Sequence, residues 1–398
     1  MKKSESKSLR QRVQLFLALA LIIIIILYNL YINEILDFKI LSIADLNPYG
    51  GWNALREYVT DSSYEFEGIN KSIALTIAIL AISVLGGRFF CGWLCPLGAI
   101  QDLGAWLSSK IKISKHVKIN KKGHNPFFIK YPILLSLLLI SILGYGAVIA
   151  ELSPWRALLN LPRLFSAWAE MKIGFIILAF VFLASMLLPR FFCRYLCPLG
   201  AAQSLFSSLS LTSLKHSKTC HSCNKCLEEC PAGLKFLKES DSISPECIRC
   251  LNCVEQCKIR NESRAYLSLF NKKVSKISYF ALMSILFVVL WIGMPKLWVR
   301  NSYDGNIILG TLKDGAYQGE AKGFAGKIIT EIIVEDGKII EIEIIDHHES
   351  KGWYDEAFMV IPKEIIKKQR LQVDAVSGAT KTSKGLLKSV ESALKKAK

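Results

Sequence analysis

Histidine and charged residues are missing from the long apolar runs of this chain of 398 residues. Spanning a membrane takes roughly 20 mostly apolar residues, and five runs approach or exceed that length. They comprise residues 13–32, 72–90, 127–150, 173–188 and 277–299, and away from their ends they contain no Asp, Glu, Lys, Arg or His. Ion pumps usually place ionisable residues inside the membrane, and membrane haem usually takes histidine ligands. These absences argue against both classes and favour a conduit.

Two further absences narrow the chemistry. The sequence contains no G-x-G-x-x-G fingerprint, so NADH would need a partner protein to deliver its electrons. All twelve cysteines lie between Cys91 and Cys257, and none follows the last apolar run. With the topology given below, every cysteine is on one side of the membrane or at its edge. That usage is typical of a reducing cytoplasm with metal clusters and disfavours a disulfide framework.

The distribution of charge predicts how the runs cross the membrane. Basic residues precede the first run and follow the second, whereas residues 33–71 contain seven acidic residues against three basic ones. The positive-inside rule then places the N-terminus and residues 211–276 in the cytoplasm and everything after residue 299 outside. No small-residue cleavage site follows the first run, so we interpret it as a retained anchor rather than a cleaved signal peptide. The formal charge of +17 is thus largely a topology signal, and no nucleic-acid partner is expected.

Residues 211–276 contain two cysteine runs of the same spacing, C-x2-C-x2-C-x3-C, the first followed by Pro231 and the second by Lys258. In such a run three thiolates wrap one cubane cluster, and the fourth reaches across to the other. We assign one [4Fe–4S] cluster, cluster A, to Cys220, Cys223, Cys226 and Cys257. We assign a second, cluster B, to Cys247, Cys250, Cys253 and Cys230. A pair of zinc knuckles is the alternative, because C-x2-C pairs also suit tetrahedral zinc.

A second cysteine motif, C-x3-C-P, occurs twice. Arg88-Phe-Phe-Cys-Gly-Trp-Leu-Cys-Pro-Leu-Gly-Ala-Ile-Gln101 recurs as Arg190-Phe-Phe-Cys-Arg-Tyr-Leu-Cys-Pro-Leu-Gly-Ala-Ala-Gln203, which indicates an internal duplication. Residues four apart share one face of a helix, so each pair is expected to present two thiolates together, although each proline disfavours helix in the residue before it. We expect the copies to come together and hold one additional iron or iron–sulfur centre, the shared centre. Its ligands would be Cys91, Cys95, Cys193 and Cys197. The alternative is four free thiols packed as small hydrophobic side chains.

On these motifs, residues 72–260 resemble the membrane polyferredoxins of the NapH and NosR type. In that family, paired C-x3-C-P motifs on spans precede a two-cluster ferredoxin segment. The resemblance implies electron transfer across a membrane in support of extracytoplasmic reductases.

The C-terminal segment has a different pattern. Residues 314–346 alternate apolar and polar side chains, and Asp336-Gly337 between two such runs predicts a β-hairpin. Residues 355–368 and 383–396 are predicted helices, the first of them broken or restarted at Pro362. Asp374-Ala-Val-Ser-Gly-Ala-Thr380 precedes the second helix. A helix start is a natural phosphate site, whereas the alternative makes Thr380 only a capping hydroxyl.

Residues 311–398 resemble the FMN-binding domains found in the G subunit of Rnf complexes and the C subunit of sodium-pumping NADH:quinone oxidoreductases. The resemblance rests on the Asp374–Thr380 motif, on Gly315-Ala-Tyr-Gln-Gly319 and on His348-Glu-Ser-Lys-Gly352. It implies that Thr380 carries FMN through a phosphoester bond made by a separate flavin transferase. The recognition motif of that enzyme would include Asp374, Ser377, Gly378 and Ala379. In the NosR family the flavin domain precedes the spans, whereas here it follows them, so no specific role in nitrous oxide reduction is implied.

The sequence thus predicts an α-helical membrane protein with five transmembrane helices, an inserted two-cluster ferredoxin segment and a small C-terminal α+β domain that binds FMN. The expected domains are residues 1–210, 211–276, 277–299 and 300–398. The expected function is electron transfer, as a subunit of an oxidoreductase system in the cell membrane, from a cytoplasmic donor through two [4Fe–4S] clusters to FMN and an extracytoplasmic acceptor or reductase. The alternative is a membrane-bound redox sensor or a maturation factor for an extracytoplasmic metalloenzyme.

Overall fold

The computed structural model describes a set of segments that together make two compact units. They are residues 9–32, 36, 44–52, 55, 71–111, 127–145, 149, 151–216, 230–234, 244–256, 258–259, 262–263, 265–270, 272–297, 312–324, 326–349, 354–371, 373, 376 and 379–397. One unit comprises Met1–Ile26, Gly51–Ser62 and Leu75–Gly293, and the other comprises Leu27–Gly50, Ser63–Ala74 and Met294–Lys398.

Apolar helices dominate the chain up to the ferredoxin segment. They are α1 (Leu9–Ile32), α2 (Lys71–Gly86), α3 (Pro96–Ile111), α4 (Lys130–Ile140), α5 (Pro154–Leu159), α6 (Leu164–Leu187), α7 (Phe191–Tyr195) and α8 (Pro198–Ser207). Proline begins α3, α5 and α8, where its missing N–H group would have had no intrahelical partner. Helix α6 is kinked at Met171, whose φ of −128° and ψ of 20° are not helical.

In the described part of the chain, two helices are long and apolar enough to cross a membrane, Leu9–Tyr31 and Lys276–Gly293. Three of the predicted runs contain shorter apolar helices, Lys71–Gly86, Phe127–Leu143 and Met171–Leu187. Each of the five predicted runs therefore contains a helix, but only two reach a spanning length within the described residues. The kink at Met171 and a π-helical turn at Ser141–Tyr145 interrupt two of the shorter helices.

The described parts of the ferredoxin segment contain short elements. They are β1 (Thr212–His216), α9 (Asn252–Gln256), β2 (Lys258–Ile259), β3 (Glu262–Ser263), β4 (Ala265–Leu269) and β5 (Lys272–Val274). Strands β1, β4 and β5 form an antiparallel sheet in that order, in which the buried side chains of Leu214 and Leu267 lie opposite each other. Helices α10 (Lys276–Val288) and α11 (Met294–Leu297) follow, joined by a π-helical turn.

The C-terminal domain packs two helices on a three-stranded antiparallel sheet. The strands are β6 (Gly315–Lys322), β7 (Lys327–Glu335) and β8 (Lys338–His347), and the helices are α12 (Asp355–Lys368) and α13 (Thr380–Lys396). Asp336 and Gly337 have φ of 51° and 70° between β7 and β8, so the predicted hairpin is confirmed. Strand β6 approaches the backbone of α13 closely, because a Cβ atom on Gly319 would lie 2.1 Å from the carbonyl oxygen of Ser389.

Two local predictions in this domain were wrong. Helix α12 continues through Pro362, because Val360, Ile361 and Ile365 on both sides of the proline are buried in one core and hold the helix together. Helix α13 begins at Thr380, three residues before the predicted start at Ser383.

Candidate functional site

The two C-x3-C-P motifs share a backbone arrangement at their second cysteine. Cys95 and Cys197 are extended, with φ/ψ of −67°/116° and −72°/113°, and each directly precedes a helix that begins with proline. The prediction that each cysteine pair lies on one helical face was therefore wrong, because proline excludes the helical conformation from the residue before it. The first cysteine lies in the preceding turn, which is π-helical around Cys91 and α-helical around Cys193.

The two copies of the motif lie together, as predicted, and each sends its arginine to the other. Arg190 donates from Nη1 to the carbonyl oxygen of Cys91 at 2.7 Å and passes beside Gly98. In the other direction, Arg88 passes so close to Gly200 that a Cβ atom there would lie 2.7 Å from Arg88 Nη2. The cross-over makes the two motifs a pseudo-symmetric pair.

Gln101, the last residue of the first motif, also bridges the copies. Its Nε2 donates to Cys193 Sγ at 3.1 Å, and its Oε1 accepts from the backbone N–H of Phe192 at 3.1 Å. Gln203 is the matching residue of the second motif, and within the described residues its buried amide nitrogen and oxygen have no hydrogen-bond partner.

All four cysteines of the motifs are buried and unpaired by disulfides. Burial, together with the neighbouring Cys193 and Cys91, raises the pKa of Cys197 to about 12. Burial and the same neighbours also raise the pKa of Cys95. Without a metal, the Cys95 and Cys197 thiols would therefore stay protonated at neutral pH, so metal binding would have to displace their protons.

Buried charge around these cysteines favours an anionic group. Arg88 and Lys130 share the carboxylate of Glu246, and Arg190 and Arg10 share that of Asp102. Four cations therefore face two carboxylates, which leaves two positive charges. Nε and Nη2 of Arg88 are buried donors with no partner in the described part of the chain. A thiolate-ligated iron–sulfur centre carries negative charge and sulfur acceptors, so the charges and donors around the cysteines suit such a group.

The ligands expected for cluster B are all described and lie near one another. Cys247, Cys250 and Cys253 are buried. The pKa of Cys230 is raised to about 12, mainly by burial and also by the nearby Cys250 and Cys247. That proximity agrees with Cys230 crossing over to the second cysteine run. The four ligands expected for cluster A lie outside the described residues; they are Cys220, Cys223, Cys226 and Cys257. Within the described residues, no three His, Cys, Asp or Glu side chains converge tightly enough to hold a single metal ion.

Glu246 is the central residue that the sequence alone does not reveal. Its carboxylate accepts hydrogen bonds from Arg88 at 2.7 Å, from Tyr131 at 2.7 Å and from Ser204 at 3.0 Å, and Lys130 donates as well. Burial opposes its ionisation, but Arg88 and Lys130 outweigh burial and lower the pKa of Glu246. It precedes Cys247 in a loop without helical or strand periodicity, so no pattern marks it. The repeated Gln101 and Gln203, by contrast, were visible as part of the duplication.

The N-terminus of α13 is the candidate flavin site. Ala379 is the N-cap residue and Thr380 the first helical residue, so the interpretation of Thr380 as the capping residue was wrong. Ser383 Oγ accepts from the N–H of Val376 at 3.1 Å and donates to the carbonyl oxygen of Ala379 at 2.8 Å, which holds the preceding loop. Asp374, Ser377 and Gly378 lie outside the described residues.

A phosphate fits this helix start. The first turn of α13 contains no acidic residue, and the positive end of the helix dipole favours an anion there. Thr382, two residues further along the first turn, donates a hydrogen bond to the carboxylate of Glu349, and both side chains are buried. Glu349 belongs to the His348–Gly352 stretch, which the sequence singled out only by resemblance.

Comparison with known proteins agrees with these sites. A family profile described as a 4Fe-4S binding domain matches residues 72–114 and 172–215, one copy on each C-x3-C-P motif. A profile described as a 4Fe-4S dicluster domain matches residues 213–258, and one described as an FMN-binding domain matches residues 323–395. The protein MJ0750 of Methanocaldococcus jannaschii is 35% identical over 193 residues, which are 48% of this chain and 77% of that protein. The ferredoxin-type protein NapH of Haemophilus influenzae is 31% identical over 46% of this chain and 64% of NapH.

The chain belongs to the polyferredoxin family of NapH and NosR. The regulatory protein NosR of Pseudomonas aeruginosa is 32% identical over 225 residues, which are 52% of this polyferredoxin but only 30% of NosR. The matched domains carry iron–sulfur and flavin cofactors, so the polyferredoxin is an electron-transfer protein.

Proposed function

We propose that this polyferredoxin conducts electrons across a membrane. Electrons from a cytoplasmic donor enter the ferredoxin clusters, pass to the shared centre at Cys91, Cys95, Cys193 and Cys197, and reach FMN bound covalently to Thr380 on the extracytoplasmic side. The clusters exchange single electrons, and flavin supplies both one- and two-electron chemistry to an external acceptor or reductase.

The packing of Cys250 against Cys91 carries this proposal. The two residues form one buried cluster with Ile248, so a ligand expected for a ferredoxin cluster packs with a cysteine of the π-helical turn that follows apolar helix α2. Arg190 and Gln101 bond the two motifs to each other, and Arg88 passes beside Gly200 of the second motif. The protein itself moves no proton in this transfer, and its role is to position the cofactors.

Covalent attachment is supported by the place of Thr380 in the fold. It begins a helix of 17 residues whose first turn lacks acidic side chains, and it ends the Asp374–Thr380 motif. When the full chain is co-expressed with a flavin transferase, we expect it to gain the mass of one FMN less a water. Its fluorescence should survive denaturing electrophoresis, because a phosphoester bond does not dissociate on unfolding.

Thr380→Val is the matched variant, because the two side chains are nearly equal in size. It should lose covalent flavin and keep its iron. Covalent flavin retained in Thr380→Val would move the attachment to Thr382 or Ser377. Loss of the domain fold would assign Thr380 a structural role instead.

The topology is tested in intact cells with a membrane-impermeant thiol reagent. Cysteines placed at Ser302 and Ser109 are compared with the unaltered chain as the background. We expect labelling at Ser302 and none at Ser109, and the opposite pattern would reverse the orientation.

Sustained turnover separates conduction from sensing. In vesicles, a reductant confined to the cytoplasmic side should reduce many equivalents of an external acceptor per protein. A redox sensor or maturation factor would stop after the cofactors themselves are reduced. Reduction limited to that single loading would favour the sensor, a role that the name of the regulatory protein NosR also suggests.

A further inference from the structure

The loop that carries three ligands of cluster B lies directly on the first C-x3-C-P motif. A Cβ atom on Gly92 would lie 2.1 Å from the carbonyl oxygen of Ile248, so only glycine permits this contact. Trp93, fully buried, donates from Nε1 to the carbonyl oxygen of Arg249 at 2.9 Å. The second motif has Arg194 and Tyr195 at the matching positions, so only the first copy offers this surface.

Arg249 holds the same loop from the other side. Its Nη2 donates to Ser210 Oγ at 2.8 Å and to the carbonyl oxygen of Thr212 at 3.0 Å. Arg249 and Leu251 both have left-handed backbones, with φ of 50° and 59°, a conformation that is strained for residues other than glycine and persists only where the surroundings enforce it. The contacts of Gly92, Trp93 and Arg249 supply that enforcement, so the conformation of the cluster B loop depends on its docking.

Glu246 also contributes to the docking, at a position where the two copies of the motif differ. In one half, Arg190 pairs with Asp102, which follows Gln101. The matching residue after Gln203 is Ser204, which has no charge for Arg88. Glu246 brings the missing carboxylate from the ferredoxin segment and contacts both Ser204 and Arg88.

We propose that cluster B is the cluster that exchanges electrons with the shared centre, docked there by Gly92 and Glu246, and that cluster A receives electrons from the donor. This assignment rests on the proposed function and orders its steps. One electron leaves reduced cluster B, which is oxidised, and enters the shared centre, which is reduced. No bond forms or breaks, and no proton moves. Cluster A, loaded by a low-potential one-electron donor in the cytoplasm, reduces cluster B again.

The decisive experiment uses the full chain, purified anaerobically with its clusters and reduced in steps with dithionite. Cys250→Ala removes a ligand of cluster B, and Cys223→Ala is the matched change in cluster A. Iron content and EPR spectra are recorded for both. Paramagnetic centres in contact split or broaden each other's signals, so Cys223→Ala should keep the interaction between the shared centre and cluster B. Cys250→Ala should lose it.

Gly92→Leu tests the docking without touching a ligand. It should keep its iron but lose the magnetic interaction in the Cys223→Ala background, because the leucine side chain displaces the Ile248 carbonyl. Gly293→Leu is the control, since a Cβ atom there meets no atom within 4 Å. An unchanged interaction in Gly92→Leu would overturn the docking contact. If Gly92→Leu also loses iron, the two cysteine variants decide.

The same samples separate this proposal from the proposed function. In the first outcome, the unaltered chain has its full iron content, and the magnetic interaction is kept in Cys250→Ala and lost in Cys223→Ala. That result overturns the proposed order of the two clusters and leaves the proposed conduit intact. Absence of metal at the four C-x3-C-P cysteines removes the relay step of the proposed function and the present proposal with it. The content of covalent flavin is measured separately and tests only the last step of the proposed function, the transfer of electrons to FMN on Thr380.

Discussion

The two copies of the C-x3-C-P motif keep the same cysteines, the same crossed arginines and the same prolines, yet they face different neighbours. The first copy has Gly92 and Trp93 and lies against the loop of cluster B. The second has Arg194, which lies over the rings of Phe127 and Tyr195 and next to Gly233. The two copies have the same cysteines but different residues between them. The first copy therefore contacts the loop of cluster B through Gly92 and Trp93, and the second contacts the ferredoxin segment at Gly233 through Arg194.

The carboxylates of the two halves show the same division. Asp102 belongs to the first motif's own helix, α3, whereas Glu246 comes from the ferredoxin segment and replaces an acidic residue that the second motif lacks. The duplicated pair thus offers a docking site because one copy lacks a carboxylate that the ferredoxin segment supplies.

The largest effect is expected from removing the cysteines of one copy. If both copies ligate one shared centre, Cys91→Ala with Cys95→Ala should lose as much iron as Cys193→Ala with Cys197→Ala. Either double variant should match the loss in the fourfold variant and leave the ferredoxin clusters in place. Iron analysis and EPR measure this. If one copy keeps iron after the cysteines of the other are removed, each copy binds iron by itself. Unchanged iron content in all three variants would favour free thiols.

Exchanging the carboxylate between segments should have the next largest effect. Glu246→Gln leaves Arg88 and Lys130 buried without a countercharge, and breaking such a buried pair costs about 3–5 kcal/mol. Adding Ser204→Asp restores the charge from the second motif itself. The double variant should regain stability in a thermal or denaturant titration but not the magnetic interaction with cluster B. Recovery of both the stability and the magnetic interaction would mean that Glu246 serves only to balance the charge of Arg88 and Lys130.

Much of the architecture could be predicted from the sequence, because its signals are local. The Asp336-Gly337 hairpin, the apolar helices and the cysteine spacings each depend on neighbours within a few residues. The pairing of Arg88 with Glu246, 158 residues away, could not be predicted, because nothing in its local sequence marks Glu246 as buried. The start of α13 was misplaced because Thr380 and Lys381 carry no apolar periodicity, while Leu386, Leu387 and Val390 do.

The ion pair of the first copy should give an acid-dependent effect. Burial opposes ionisation of Asp102, but Arg190 and Arg10 outweigh it and lower its pKa. A carboxyl whose folded pKa is below its unfolded value stabilises the protein above the unfolded pKa, which is about 3.9, and that stability is lost as the pH falls through the folded pKa. Asp102→Asn should therefore destabilise at neutral pH, with the difference from wild type shrinking in acid.

The loss in Asp102→Asn should be smaller than in Glu246→Gln, because Arg190 keeps its hydrogen bond to the carbonyl oxygen of Cys91. Unfolding followed by intrinsic fluorescence between neutral pH and about pH 3 covers the range in which the unfolded carboxyl titrates. A constant difference across that range would mean that the pKa of Asp102 is the same in the folded and the unfolded protein.

The smallest effect is expected at the aromatic position between the cysteines. Trp93→Phe keeps most of the apolar contact with Phe89 and Phe280 but removes the hydrogen bond to the carbonyl oxygen of Arg249. A buried acceptor left unpaired costs about 1–3 kcal/mol. Because Arg249 lies in the cluster B loop, the variant should open that loop more often, which faster loss of cluster B iron to a chelator would report. Tyr195→Phe, at the half-buried matching position of the second copy, should leave that rate unchanged. Equal rates in both variants would show that the two copies hold the ferredoxin segment alike.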